Sequence, residues 1–248
     1  MEENKLETIK QQQWFYEFTL PDGTITQSYL PDFVRPVHYT REKALRLFLD
    51  EYCKKDTTVS ALDISCHEGY YTHVLAKYFR EVTGIDKNES SLDKAKLITE
   101  ALGFNNISYV HAAVEQWNGH QPADFVLCFG LLYHIENPVE IFRKLSELTG
   151  SAICIESQVL PLNTSLRVED GCFKKQRDIS GTFGLCMDYP ELKEGGLTEL
   201  ALVPSCDALI SLLKYFGFIN ITLYQPEEGD YEQFVRGHRV IIYAEKRK

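Results

Sequence analysis

With 248 residues, 44% of them hydrophobic and 25% charged, the chain has the composition of an ordinary globular α/β protein with room for an insertion. A net charge of −10 repels phosphate backbones, which weighs against nucleic acid and favours a small-molecule or protein substrate. No apolar run approaches the ~18 residues of a membrane span. The polar start, MEENKLETIKQQQ, lacks the layout of a signal peptide. Seven scattered cysteines with no CxxC pair read as reduced thiols in a cytoplasmic protein.

Taken in order, residues 1–13 form a polar, weakly docked helix. Trp14 to Leu20 is aromatic and partly alternating. Pro21-Asp22-Gly23 then turns it into a short hairpin with Thr24 to Gln27. Ala44, Leu45, Phe48, Leu49 and Tyr52 have helical spacing over Arg41 to Tyr52. Val59 to Leu62 is a buried strand ending on Asp63. A tight Ile64–Gly69 turn follows, then a helix carrying Val74, Leu75, Tyr78 and Phe79. Val82 to Ile85 is a second strand, ending on Asp86. Ser90 is the predicted cap of the next helix, and Gly103 its end. Strands at Ile107–Val110 and Phe125–Phe129 follow. Asn137-Pro138-Val139-Glu140 starts a helix closed by Gly150, and Ala152–Ile155 is a fifth strand ending on Glu156.

Regular alternation pauses from Ser157 to Pro204, a glycine-rich stretch too long for a plain connection and read as a lid over the strand ends. Ser205 caps a helix closed by Gly217. Ile219–Tyr224 and Arg239–Ala244 are two last strands that can pair antiparallel at one edge. The expected fold is α/β: a doubly wound, seven-stranded, mostly parallel sheet. Its parts are an N-terminal cap (1–58), a core (59–156), an inserted lid (157–204) and the C-terminal part of the core sheet (205–248).

In such a sheet a ligand sits beyond the carboxyl ends of the strands. That rule gathers Asp63–Gly69, Asp86, Ala112–Glu115, Phe129–His134 and Glu156. A dinucleotide site wants G-x-G-x-x-G, but here only Gly69 is present, and a carboxylate at the strand end would repel a pyrophosphate. Asp86, 23 residues after Asp63, stands where an acid can accept both hydroxyl protons of a ribose. A ribose without phosphates and a cationic tail describe S-adenosylmethionine. His111, His120 and His134 share no ligand spacing, so no metal is expected.

On these residues the chain resembles class I S-adenosylmethionine-dependent methyltransferases, in detail over Val59–Glu156 and more loosely over Pro204–Glu245. DISCHEGYYT, CFGLLYHIENP, IESQVLP and the leader WFYEFTLPDG resemble the branch that includes enzymes acting on the wobble-uridine hydroxyl of tRNA. The resemblance implies S-adenosyl-L-methionine as cofactor. Asp63, Ser65 and Gly69 match the glycine-rich loop around its methionine part, and Asp86, with Lys87 beside it, the ribose acid. Ala113 and Val114 match the adenine edge, with Glu115 or a backbone carbonyl replacing the usual acid. Phe129 and Gly130 match the strand end that accepts from the ammonium. Ser65 and His67 stand where the family prefers glycine, which restricts positive φ. Arg41 is a candidate for the cofactor carboxylate.

Tyr133 and His134 match the segment where catalytic groups lie, with His134 a candidate general base. Arg167 and Arg177 are candidates for binding an acidic substrate. The expected reaction is methyl transfer to an O or N atom of a small molecule. The alternatives are modification of tRNA (an alkyl transfer to the wobble uridine) and a catalytically silent cofactor-binding or scaffold protein.

Overall fold

The computed structural model describes residues 2–55, 59–119, 121–161, 179–187 and 200–247. The chain opens with α1 (Glu2–Gln11), β1 (Gln13–Trp14), β2 (Gln27–Ser28) and α2 (Pro36–Tyr52). The core then runs β3 (Ser60–Ile64), α3 (Tyr70–Leu75), β4 (Glu81–Asp86), α4 (Glu89–Ala101), β5 (Ile107–His111), β6 (Ala123–Phe129), α5 (Pro138–Leu148) and β7 (Thr149–Gln158). After it come β8 (Phe183–Met187), β9 (Leu200–Pro204), α6 (Cys206–Tyr215), β10 (Phe218–Leu223), α7 (Glu232–Val235) and β11 (Arg239–Lys246).

Seven strands form the central sheet in the order β10-β11-β7-β6-β3-β4-β5, parallel except at β11, which runs antiparallel to both neighbours. This is the expected seven-stranded, doubly wound α/β sheet. Its faces are separated by the two-residue period of a strand. In β6, Phe125, Leu127 and Phe129 join a core with Trp14, Leu45 and Leu75, while Val126 and Cys128 join another with Leu145, Leu209 and Leu213. Both faces being covered explains why β6 reads as an unbroken apolar run.

Local chemistry sets most boundaries. Asn137 accepts from the Glu140 amide at 3.4 Å and Pro138 occupies the first turn of α5, as expected; Ser205 likewise caps α6 through the Ala208 amide. Four expectations are corrected. The cap of α4 is Asn88, which accepts from the Ser91 amide, so Ser90 lies inside the helix. Gly150 belongs to β7, because the chain turns extended at Thr149. The leader hairpin reduces to one antiparallel bridge, Thr19–Ile25, around the Pro21–Gly23 turn, while β1 pairs with β2 in parallel. The helix expected from Arg41 begins at Pro36, where proline fits the first turn.

Of the expected lid, β8 and β9 form a separate antiparallel pair, and Leu202 donates to the Ile135 carbonyl at 2.9 Å. Residues 162–178 and 188–199, including Arg167 and Arg177, lie outside the described residues, as does His120. No helix among the described residues is long and apolar enough to cross a membrane.

The register brings the strand ends level. Asp63 lies opposite Gly84 and Leu127, Asp86 opposite His111, and Phe129 opposite Glu156. The chain winds outward from β3 through β4 to β5, then returns through β6 on the other side, leaving a crevice above the carboxyl edge.

Candidate active site

A cavity of about 230 Å³ opens at that crevice. Its walls come from the leader (Phe15, Tyr16, Tyr29), the loop after β3 (Ser65, His67) and the ends of β4 (Asp86, Lys87) and β6 (Phe129, Gly130). The segment after β5 (Ala113, Val114, Glu115), together with Arg41, Tyr133 and His134, completes them. Of the residues singled out from sequence, Ser65, Asp86, Lys87, Ala113, Val114, Phe129, Arg41, Tyr133 and His134 therefore meet here. Asp63 and Gly69 do not line it.

The loop after β3 explains that split. Its backbone turns through three left-handed residues, Ser65 (φ 60°), His67 (φ 51°) and Gly69 (φ 81°). Ser65 and His67 adopt the conformation that glycine would take easily, so the lack of glycine strains the loop without changing its path. Hydrogen bonds hold it there: Cys66 N donates to Ile85 O at 3.0 Å, and Gly69 N to Cys66 O at 2.9 Å. His67 N donates to the Asp86 carboxylate at 2.8 Å. Gly69 faces inward, where a Cβ would collide with the phenol oxygen of Tyr109 and press on Ala95. Its job is the close seating of α3 and α4 against the sheet.

Asp63 points beneath the loop and is 2% exposed. Its carboxylate accepts from the Thr72 hydroxyl at 2.6 Å. Burial raises its pKa, the Thr72 bond lowers it, the charge of Asp86 raises it again, and the balance is about 7. Asp63 thus supports the loop from beneath, because strand alternation turns it away from the cavity while Ile64 reaches it.

Asp86, 7% exposed, does reach the cavity. One carboxylate oxygen accepts from His67 N and the other from Asn88 N, both at 2.8 Å. Each oxygen keeps a second acceptor position. Across the cavity Arg41, 5% exposed, donates to Glu156 at 2.5 Å, and Arg239 donates to the other Glu156 oxygen at 2.8 Å and to the Tyr133 hydroxyl at 3.3 Å. Burial acts to raise the Glu156 pKa, but the two guanidinium charges prevail and hold it below the usual carboxylate range. Two arginines share one carboxylate, so the cluster carries a net charge of +1, and Arg41 Nε has no hydrogen-bond partner among the described residues. Gly130, at φ 77°, leaves this corner open: a Cβ there would sit 3.5 Å from Arg41 Nη2 and 3.7 Å from the Tyr133 oxygen.

Tyr133 and His134 follow β6, with ring centres 4.1 Å apart. His134 N donates to Leu131 O at 2.9 Å, which fixes the turn carrying the imidazole to the cavity wall. The wall that sequence reasoning missed is the leader. The leader reads as part of a cap and as a motif of the branch, but nothing in the aromatic run WFYEF, which also suits plain core packing, shows that it lines the cavity.

An α/β sheet with a ligand crevice at the carboxyl edge, a buried acid on the second core strand and no phosphate-binding glycine loop defines a Rossmann-like fold of the methyltransferase type. The chain belongs to the methyltransferase-domain family, whose model matches residues 55–196. It is 34% identical over 89 residues to the ubiquinone biosynthesis O-methyltransferase of Pseudoalteromonas translucida (strain TAC 125), covering 35% of this chain and 37% of that protein. It is 35% identical over 89 residues to the ubiquinone biosynthesis O-methyltransferase of Nitrosospira multiformis (strain ATCC 25196 / NCIMB 11849 / C 71), with the same coverage. The matched stretch spans between about a third and about half of the length of such curated relatives. Among solved structures, it is similar to the N-terminal domain of EvdMO1, crystallised in the presence of SAH and D-fucose, with TM-score 0.71 and 19% identity over 99% of this chain and 95% of that one. It is also similar to magnesium protoporphyrin IX methyltransferase (ChlM) from Synechocystis PCC 6803 with bound SAH, with TM-score 0.59 and 14% identity over 89% of this chain and 90% of that one. At these identities the structural likeness speaks for the fold.

Proposed function

We propose that the protein transfers a methyl group from S-adenosylmethionine to an oxygen or nitrogen atom of a small molecule. One observation carries the reading: a single cavity has a buried carboxylate at one wall and an arginine cluster one negative charge short at the other. That polarity suits a ligand with a neutral diol at one end and a carboxylate at the other. Asp86 has acceptor positions left for two ribose hydroxyls, and Arg41 has a charge left for one carboxylate. Gly130 keeps that corner free of a side chain. Lys87 and Glu115 flank the remaining edge, where Glu115 can accept from an exocyclic amine.

When bound, the cofactor supplies an electrophilic methyl group on a sulfonium. The chain's part is to align an acceptor lone pair with it and to exclude water. The aromatic walls Phe15, Tyr16 and Phe129 serve the second task. His134 takes the proton from the acceptor, and Tyr133, held by Arg239, orients the neighbouring wall. The names of the curated relatives support an oxygen acceptor.

The motif likeness to the tRNA wobble-uridine branch supports a second reading, against which the net charge of −10 weighs. Binding of tRNA across a salt series separates the two; absence of salt-sensitive binding removes the second. The cofactor reading is tested by calorimetry with S-adenosylhomocysteine. Wild-type protein is expected to bind, and Asp86→Ala to bind at least tenfold more weakly. No heat and no thermal shift at millimolar ligand would remove the reading and leave the silent scaffold in its place.

A further inference from the structure

Glu68 lies in the strained loop, between His67 and Gly69, yet its side chain does not reach the cavity. It is 1% exposed. Oε2 accepts from the backbone amides of Phe15 at 2.7 Å and Tyr16 at 3.4 Å, and Oε1 accepts from Lys94 Nζ at 3.0 Å. Lys94 in turn donates to the Gln13 carbonyl at 2.7 Å and sits 5.3 Å from the centre of the Trp14 ring. The Glu68 carboxylate and its partner Lys94 thus tie four consecutive leader residues, Phe15 and Tyr16 through the one and Gln13 and Trp14 through the other, to the cofactor loop and to α4.

The same leader residues form cavity wall. The Phe15 ring lies 4.8 Å, and the Tyr16 ring 5.9 Å, from the His67 ring, and all three line the cavity together with Tyr29. Tyr29 is held by its amide, which donates to Trp14 O at 2.9 Å, and Ser28 Oγ donates to Phe15 O at 3.0 Å. The His67 amide meanwhile donates to Asp86. The leader, Glu68, His67 and Asp86 are therefore linked in an unbroken series of hydrogen bonds and ring contacts.

We propose that Glu68 is a positioning residue that latches the Gln13–Tyr29 leader over the Asp86 side of the cavity, so that leader docking and cofactor binding favour each other. The inference rests on the cofactor reading above. A ligand that touches a wall made of the leader stabilises the docked leader, and by linkage the latch raises the affinity for the ligand by the same factor. The backbone amides of Phe15 and Tyr16 have no place in a β ladder with the loop, so the carboxylate is what satisfies them.

The test is hydrogen exchange of the full chain with and without saturating S-adenosylhomocysteine. In the wild type, ligand is expected to slow exchange both at residues 13–29 and at residues 112–115. In Glu68→Ala the dissociation constant is expected to rise at least tenfold. At saturation residues 112–115 are still protected, while residues 13–29 exchange quickly with or without ligand. Glu68→Gln keeps an oxygen acceptor for the leader amides but loses the charge facing Lys94, and is expected to recover part of the affinity. Protection at residues 112–115 with no change at residues 13–29 in the wild type overturns the proposal while leaving the cofactor reading intact, and it needs no variant to fold. Protection nowhere means that the cofactor reading has failed, and the proposal with it.

Discussion

Arg41 and Glu156, 115 residues apart in sequence, meet at 2.5 Å with neither side chain appreciably exposed. Arg239 grips the same carboxylate from the neighbouring strand, joining α2, β7 and β11 at one point. Removing the only anion leaves two buried guanidinium groups side by side, a loss that costs about 3–5 kcal/mol for a buried pair. Glu156→Gln is therefore expected to lower the unfolding free energy by that much, measured by urea denaturation. A change below about 1 kcal/mol would mean that water screens the cluster. The complementary variant Arg41→Lys keeps a charge but not the fork, and should weaken S-adenosylhomocysteine binding about tenfold.

His134 and Asp86 sit at different parts of one cavity, so their substitution should separate chemistry from binding. If His134 is the base, His134→Ala lowers kcat by about 10²–10⁴ and leaves cofactor affinity within about twofold. The measurement is release of S-adenosylhomocysteine with whichever hydroxylated or amino compound in a panel is turned over. Equal kcat in variant and wild type would return His134 to a structural role in the turn after β6.

The sheet was legible because its core strands read as short apolar runs between helix patterns, and Asp86 was legible as the acid closing one of them. Glu156 was recognisable as a strand-end acid, but its partners were not, since nothing local ties it to Arg41 or to Arg239. The direction of Asp63 was not legible for a related reason: a strand end has two faces, and only the packing of Thr72 beneath the loop decides between them. The cap of α4 was misplaced by two residues because Asn88, not Ser90, holds the extended φ and ψ that the position demands. The leader wall was hidden because the latch that makes it a wall, Glu68, is 52 and 53 residues away from the amides it holds.

The left-handed residues of the cofactor loop give a pair of opposite expectations. Ser65 at φ 60° carries a strain that glycine would relieve, so Ser65→Gly is expected to raise stability by about 1 kcal/mol. Gly69→Ala acquires the same strain and also drives a Cβ into Tyr109, whose hydroxyl is hydrogen-bonded to Thr99 at 2.8 Å. It should lose about 2 kcal/mol or more. Thermal and urea unfolding of both variants decide the matter, and a destabilised Ser65→Gly would show that the serine side chain, not its backbone, is what the loop needs.

Three buried groups set the pH response between about 5 and 6.5. Burial lowers the His73 pKa to about 3, with Lys77 adding to the effect, and lowers that of His38 well below its usual value, with Arg41, His67 and Arg239 adding theirs. In this window the unfolded chain binds protons at both histidines and the folded chain does not, so each removes stability as the pH falls. Asp63 works in the opposite sense. Its folded pKa of about 7 lies above the usual value of 3.8, so the folded chain holds a proton that the unfolded chain has lost, and stability rises as the pH falls. Two against one leaves a net loss on acidification that grows from a few tenths of a kcal/mol per pH unit near pH 6.5, where the unfolded histidines are half protonated, to about 1.4 near pH 5. Asp63→Asn keeps an acceptor for Thr72 but removes the opposing group, and should steepen the loss to about 1.4 kcal/mol per unit near pH 6.5 and about 2.8 near pH 5. His73→Gln should flatten it, because His38 and Asp63 then cancel. Glu156, whose pKa is lowered, adds its own loss only as the pH falls through about 4.5 and below, outside this window. Urea midpoints at pH 5, 5.5, 6 and 6.5 measure all three slopes, and an Asp63→Asn slope equal to that of the wild type would show that Asp63 is ionised in the folded protein.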